Sequence, residues 1–223
     1  MNMQLWGHTA SVLFVLVTVL MCFWLLHFKE KFKYKSAAVV PLAFFSMAVG
    51  VLCLKLFAVV EAPGDPTAIT RFSLFGFVFF MPIAFWIGAK ITKRKFPDVL
   101  DAFSLPMISA LVCARVNCLV TGCCIGRAIS GTNGLRWPTR EAEIIYYLIF
   151  VGYFAPKVWK GKTKGEVYPW YMLTYGVLRF VLETFRYSDA GTIFHLSHFW
   201  AIISFCIGLT FVIELRENKK RRK

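Results

Sequence analysis

The chain has 223 residues, is 58% hydrophobic, and carries 26 Lys and Arg against 12 Asp and Glu, a formal charge of +14. Several apolar runs of about 20 residues can each cross a hydrocarbon core of roughly 30 Å, which excludes a soluble globular domain. The positive charge sits in short segments flanking those runs, where it orients the chain and meets anionic lipid, so we expect no nucleic-acid partner.

The runs predict seven transmembrane helices at approximately 9–27, 37–60, 72–91, 99–121, 141–158, 168–185 and 193–215. They are too long and too unalternating for barrel strands, and in lipid only helices or closed barrels satisfy every backbone group. The first run is followed, not preceded, by lysines, so it reads as a retained span rather than a signal peptide. Connections 28–36, 90–98 and 157–165 hold four basic residues each and the tail 216–223 holds six. With seven spans these four segments share one face, which the positive-inside rule assigns to the cytoplasm. The expected fold class is therefore an all-α membrane protein with its N-terminus outside and its C-terminus cytoplasmic. It forms a single integral membrane domain over 1–223 in the cell membrane.

Eight basic residues remain: Lys55, Arg71, Arg115, Arg127, Arg136, Arg140, Arg179 and Arg186. All fall at the outer surface or the outer half of a span, where topology alone disfavours them. Arg115 and Arg179 lie inside apolar runs, where a guanidinium is costly, about 2.5–3.5 kcal/mol at a helix centre on insertion scales. Arginine presents five donors in a rigid fork that matches phosphate or carboxylate, and it stays charged when partly desolvated. The cluster therefore suits an anionic headgroup. Arg179, Glu183 and Arg186 fall at i, i+4 and i+7, on one helical face, so Glu183 can hold both guanidiniums. The competing reading is an ion pair that only ties helices together, with Arg71, Arg186 and Lys55 snorkelling to the interface and Arg136 and Arg140 as solvated loop charges.

The segment Ala114-Arg-Val-Asn-Cys-Leu-Val-Thr-Gly-Cys-Cys-Ile-Gly-Arg127 carries an arginine to the end of the fourth run and then breaks the helix with two glycines. Glycines there allow backbone amides to approach a ligand, or simply end a helix. The seven cysteines make an odd count, and four of them (22, 53, 113 and 206) lie in apolar runs, so no disulfide framework is implied.

These residues resemble the phosphatidylglycerol–prolipoprotein diacylglyceryl transferases of bacteria. The resemblance rests on Ala114-Arg115 with Gly122 and Gly126-Arg127, on Trp137-Pro138-Thr139, and on Tyr175-Gly-Val-Leu-Arg-Phe-Val-Leu-Glu-Thr-Phe-Arg186 with Asp189-Ala190 after it. It starts weakly near Trp6-Gly7, strengthens at Ser73 to Gly76 and continues along most of the chain. It implies an enzyme that moves the diacylglyceryl group of phosphatidylglycerol to a lipobox cysteine of an exported protein at the outer leaflet, releasing glycerol phosphate. By position Arg115 and Arg179 match the family's phosphate-binding arginines, and Arg127, Arg140, Glu183 and Arg186 complete the expected substrate-binding set. No cofactor and no metal is expected.

The departures matter. Phe75-Gly76 stands where the family has histidine and glycine, and phenylalanine takes no proton. Trp137-Pro138-Thr139-Arg140 replaces histidine-proline-serine-glutamine, Cys118 and Cys123 replace asparagine and glutamate, and Trp6 replaces tyrosine. The loop between the fourth and fifth spans is also short. Transfer to a thiol calls for a base, and His195 and His198, three residues apart at the start of the last span, are the expected substitutes. His8 is a third outer histidine. Alternatively the arginines acidify the acceptor thiol directly. Cys123-Cys124 is open to three readings: a nucleophile, a metal site with Cys118 and the histidines, or packing and a vicinal disulfide. Adjacent cysteines fit the usual Cys-x₂₋₄-Cys zinc spacing poorly. The alternative functions are transfer to a non-lipoprotein acceptor and non-catalytic binding of anionic lipid. A transporter is disfavoured, because no second half repeats the first.

Overall fold

The computed structural model describes residues 3–129, 131–132, 134–186 and 194–221, with the side chains of residues 3–8 and 10 excepted. The Trp6 and His8 side chains and Asp189-Ala190 therefore lie outside the described residues. Seven α-helices are described: α1 Met3–Phe32, α2 Val39–Glu61, α3 Phe75–Ile91, α4 Phe96–Thr121, α5 Thr139–Trp159, α6 Val167–Thr184 and α7 Leu196–Arg221. Short 3₁₀ turns at Ser36–Ala38 and Ala68–Thr70 precede α2 and α3. Among the described residues there is no strand beyond two isolated bridges.

The protein is an all-α membrane protein. Its outward faces are apolar, with Phe45, Ile91 and Ile149 roughly two-thirds or more exposed, the inverse of a water-soluble surface. α1, α2, α4 and α7 are long and apolar enough to cross a membrane, while α3 is a shorter apolar helix. α5 and α6 carry charged residues within them, Glu143 and Arg179 among them. The tail differs from the expectation: α7 continues to Arg221 rather than ending at 215. No glycine or proline interrupts Glu214 to Arg221, and the lysines and arginines complement the negative end of the helix dipole.

Lipid offers helices little hydrophobic drive to associate, so close backbone approach and internal hydrogen bonds hold the bundle. Gly176 of α6 and Gly208 of α7 face the opposite helix so closely that a Cβ would come within 2.7 Å and 2.4 Å of backbone atoms. Gly76 lets α3 lie against the Cys53 carbonyl of α2 in the same way. Pro82 cannot donate to the Val78 carbonyl, four residues back in α3. The buried Tyr168 hydroxyl of α6 donates there instead, at 3.1 Å to Val78 O and 2.5 Å to Phe77 O.

The basic connections converge at one end of the bundle. Lys31 pairs with Asp98 at 2.8 Å, Arg94 donates to the Phe32 carbonyl at 2.9 Å, and Arg216 lies over the Trp170 ring. The buried Asp101 carboxylate accepts the Gly165 N–H at 2.7 Å and the Val167 N–H at 3.3 Å, fastening α4 to the start of α6.

Candidate active site

At the opposite end, α4 stops because Gly122 adopts a left-handed conformation (φ 70°), its N–H returning to carbonyls of the last helical turn. The chain then folds back over the end of α6. Arg127 N–H bonds Phe185 O at 2.8 Å, Gly126 bridges to Arg186, and Trp137 packs on Phe185 with centroids 4.4 Å apart. Gly126 is required there, since a Cβ would fall 2.0 Å from the Trp137 carbonyl oxygen.

Beneath this loop a chain of alternating charges crosses three helices. Glu143 of α5 pairs with Arg115 of α4 and, at 2.9 Å, with Arg179 of α6. Arg179 also meets Glu183 at 2.9 Å, and Glu183 reaches Arg186 at 3.6 Å. Within this chain three guanidiniums meet two carboxylates, and Glu61 at the end of α2 adds a third carboxylate close enough to interact with Arg179 and Glu183. Arg115, Glu143 and Arg179 are buried, while the Arg186 side chain keeps 19% exposure. Tyr147 and Tyr175 stack beside them with centroids 6.3 Å apart, and each hydroxyl is buried without a partner among the described residues.

A cavity of about 480 Å³ opens above, lined by Gly122, Cys124, Ile125, Arg136, Glu183 and Arg186. Its size suits a small polar headgroup. Arg186 and Glu183 stand at its wall, whereas Arg115 and Arg179 form the buried charge behind them and do not line it.

The expected site residues separate here. Glu183 holds both Arg179 and Arg186, in line with their helical spacing. Arg140 spends its donors on the end of α4, bonding Cys118 O and Cys123 O at 3.2 Å each. Arg127 is engaged through its backbone and its side chain is exposed. Lys55 donates to the Ile69 carbonyl and Arg71 pairs with Asp65, both in or beside the α2–α3 connection. His198 is buried, and its Nδ1 accepts the His195 N–H at 3.1 Å while its own backbone N–H returns to His195 O. That reciprocal pairing caps α7 and commits the imidazole lone pair to backbone. Phe75 is buried against Arg179, whose Cζ lies 5.8 Å from the ring centroid.

Glu143 is the residue that the sequence reading missed. Its signal is an acid three residues after Arg140 and four before Tyr147, on one helical face and just ahead of the apolar run that begins at Ile144.

Cys118, Cys123 and Cys124 gather beside the cavity, with Cys124 in its lining, each offering its sulfur within 4.8 Å of the others. His195 and His198 are not part of this group. The Cys124 thiol is held below its ordinary pKa, first by a hydrogen bond from Cys118 and then by the charges of Arg186 and Arg115, against the opposing effect of burial.

Fold and site together define a polytopic helical membrane protein with a cavity walled by Arg136, Glu183 and Arg186 over a buried chain of ion pairs. The chain matches the prolipoprotein diacylglyceryl transferase family over residues 4–214 and belongs to that family of transferases. It is similar to the phosphatidylglycerol–prolipoprotein diacylglyceryl transferase of Dehalococcoides mccartyi, at 22% identity over 205 residues, covering 82% of this chain and 78% of the relative. Enzymes of the same name from Campylobacter lari and Clostridium tetani are 26% and 25% identical, over 70% and 66% of this chain and 62% and 66% of theirs.

Proposed function

We infer that the protein transfers the diacylglyceryl group of phosphatidylglycerol to the thiol of a lipobox cysteine in an exported protein, releasing glycerol phosphate at the outer leaflet. The observation that carries this reading is the buried Arg115–Glu143–Arg179–Glu183–Arg186 chain, which ends with Glu183 and Arg186 in the cavity wall. Family membership and the names of the relatives support the donor and the acceptor.

The phosphate of the donor lodges at the wall formed by Arg186 and Glu183, with Arg179 and Arg115 behind. As the acceptor sulfur bonds to the glyceryl carbon, the C–O bond to phosphate breaks and its electron pair leaves with the headgroup. The phosphate goes from one negative charge towards about two. Guanidiniums fixed in place before the reaction stabilise that growing charge more than the ground state, which is the condition for catalysis. The four basic segments at the far end support a cytoplasmic position for that end, with the cavity facing outward.

Phosphatidylglycerol labelled in its terminal glycerol phosphate tests the reading, with and without a lipobox peptide, against an Arg115→Ala, Arg179→Ala variant. Peptide-dependent release together with a diacylglyceryl mass gain on the peptide is expected. Release with an unmodified peptide would assign another acceptor, and bound lipid without release would assign a binding protein.

A further inference from the structure

We propose that Cys118, Cys123 and Cys124 form a three-thiolate zinc site whose open fourth position takes the acceptor cysteine thiol beside the cavity. The proposal rests on the transferase reading above, and adds to it the group that readies the sulfur. Phe75 supplies no base, and His198 has its lone pair committed to the start of α7.

The geometry carries it. Adjacent cysteines ordinarily point their sulfurs apart, but Gly122 reverses the chain after α4 and Cys124 takes φ 56°, so all three sulfurs converge within 4.8 Å. Tetrahedral ligands at Zn–S bonds of about 2.3 Å stand roughly 3.8 Å apart, so a small inward rotation of the side chains closes the site. The backbone supporting it is already braced: Cys123 N–H bonds Cys118 O at 3.1 Å, and Arg140 Nη1 donates to the carbonyls of both residues. An all-sulfur donor set selects a soft ion such as Zn²⁺ over Mg²⁺ or Ca²⁺. Three protein ligands leave one position for substrate, the arrangement of catalytic rather than structural zinc. Cys124 shares the cavity lining with Arg186 and Glu183, which places that position beside the phosphate.

The acceptor thiol displaces a water from zinc and loses its proton to solvent, since a thiol coordinated to zinc is deprotonated. Its sulfur lone pair forms the C–S bond as the C–O bond to phosphate breaks. The thioether product is neutral, binds the ion weakly and leaves.

The full chain, purified in detergent under reducing conditions, should hold one zinc per molecule. Cys118→Ser, Cys123→Ser and Cys124→Ser should each lower affinity by more than the roughly 10–100-fold that loss of an outer-shell partner costs. Cys124 is exposed, so its variant keeps the experiment readable if a buried substitution prevents folding. Substitution by Co²⁺ gives a thiolate charge-transfer absorption, which a lipobox peptide should shift and the same peptide with serine for cysteine should not. Zinc binding indifferent to all three serines would overturn the proposal, as would a cobalt spectrum indifferent to the cysteine peptide. Full transfer by a metal-free triple serine variant would overturn it while leaving the transferase reading intact. A cobalt shift without any lipid transfer would uphold the site and remove the transferase reading instead.

Discussion

Phe75 lies beneath the guanidinium of Arg179, its ring centroid 5.8 Å from Cζ, at the position where the resemblance leads one to look for a histidine. The ring also meets Tyr175, Phe57 and Phe79, so an aromatic wall backs one side of the buried charges. A cation over such a face gains about 0.5–2 kcal/mol, more when desolvated. Phe75→Leu, which keeps apolar volume and removes the ring, should lower stability by about 1–2 kcal/mol and leave lipid binding in place. Thermal unfolding in detergent with and without phosphatidylglycerol measures both. A loss of lipid binding with unchanged stability would show that Phe75 serves the ligand instead.

Glu143 joins Arg115 to Arg179 from a third helix. Removing one partner of a buried ion pair costs about 3–5 kcal/mol, because the other charge stays buried. Glu143→Gln should therefore destabilise strongly, and adding Arg115→Met should restore part of the loss, with a coupling of about 0.5–3 kcal/mol in a double-mutant cycle. Additive effects would mean that the two residues do not share a network. Neither variant should transfer lipid.

At the other end of the bundle, Asp101 binds the N–H groups of Gly165 and Val167. Hydrogen bonds to a charged group contribute about 1.5–3 kcal/mol each. Asp101→Asn should lower stability by about that amount and leave the KM for phosphatidylglycerol unchanged, since the cavity is remote. A raised KM would mean that the two ends are coupled.

Tyr168→Phe removes only the hydroxyl that bonds the Val78 carbonyl freed by Pro82 and the adjoining Phe77 carbonyl. The expected cost is about 1–3 kcal/mol, that of leaving a buried acceptor unpaired. The double variant Pro82→Ala, Tyr168→Phe should recover most of it, because an alanine in place of the proline restores the helical donor to the Val78 carbonyl. Failure to recover would place the energy in ring packing rather than in the hydrogen bond.

The class of protein was legible in the chain. Apolar runs long enough to span a bilayer, lysine-rich connections between them, and arginines where lipid penalises charge are all local properties, read one segment at a time. The Glu183 link to Arg179 and Arg186 was legible for the same reason, since residues i, i+4 and i+7 on one helix share a face whatever surrounds them. Periodicity says nothing of which helix stands opposite.

Only the packing of α5 against α4 and α6 makes Glu143, which the sequence did not single out, the centre of the charge chain. Only the close α6–α7 contact at Gly176 and Gly208 sets the frame in which Arg179 is buried. The three cysteines show the same division. Their spacing in sequence argues against a shared site, and a left-handed turn at Gly122 followed by positive φ at Cys124 brings their sulfurs together. Faces and burial costs belong to single helices, whereas the pairing of groups across helices depends on rotation and close approach, which the packed bundle alone decides.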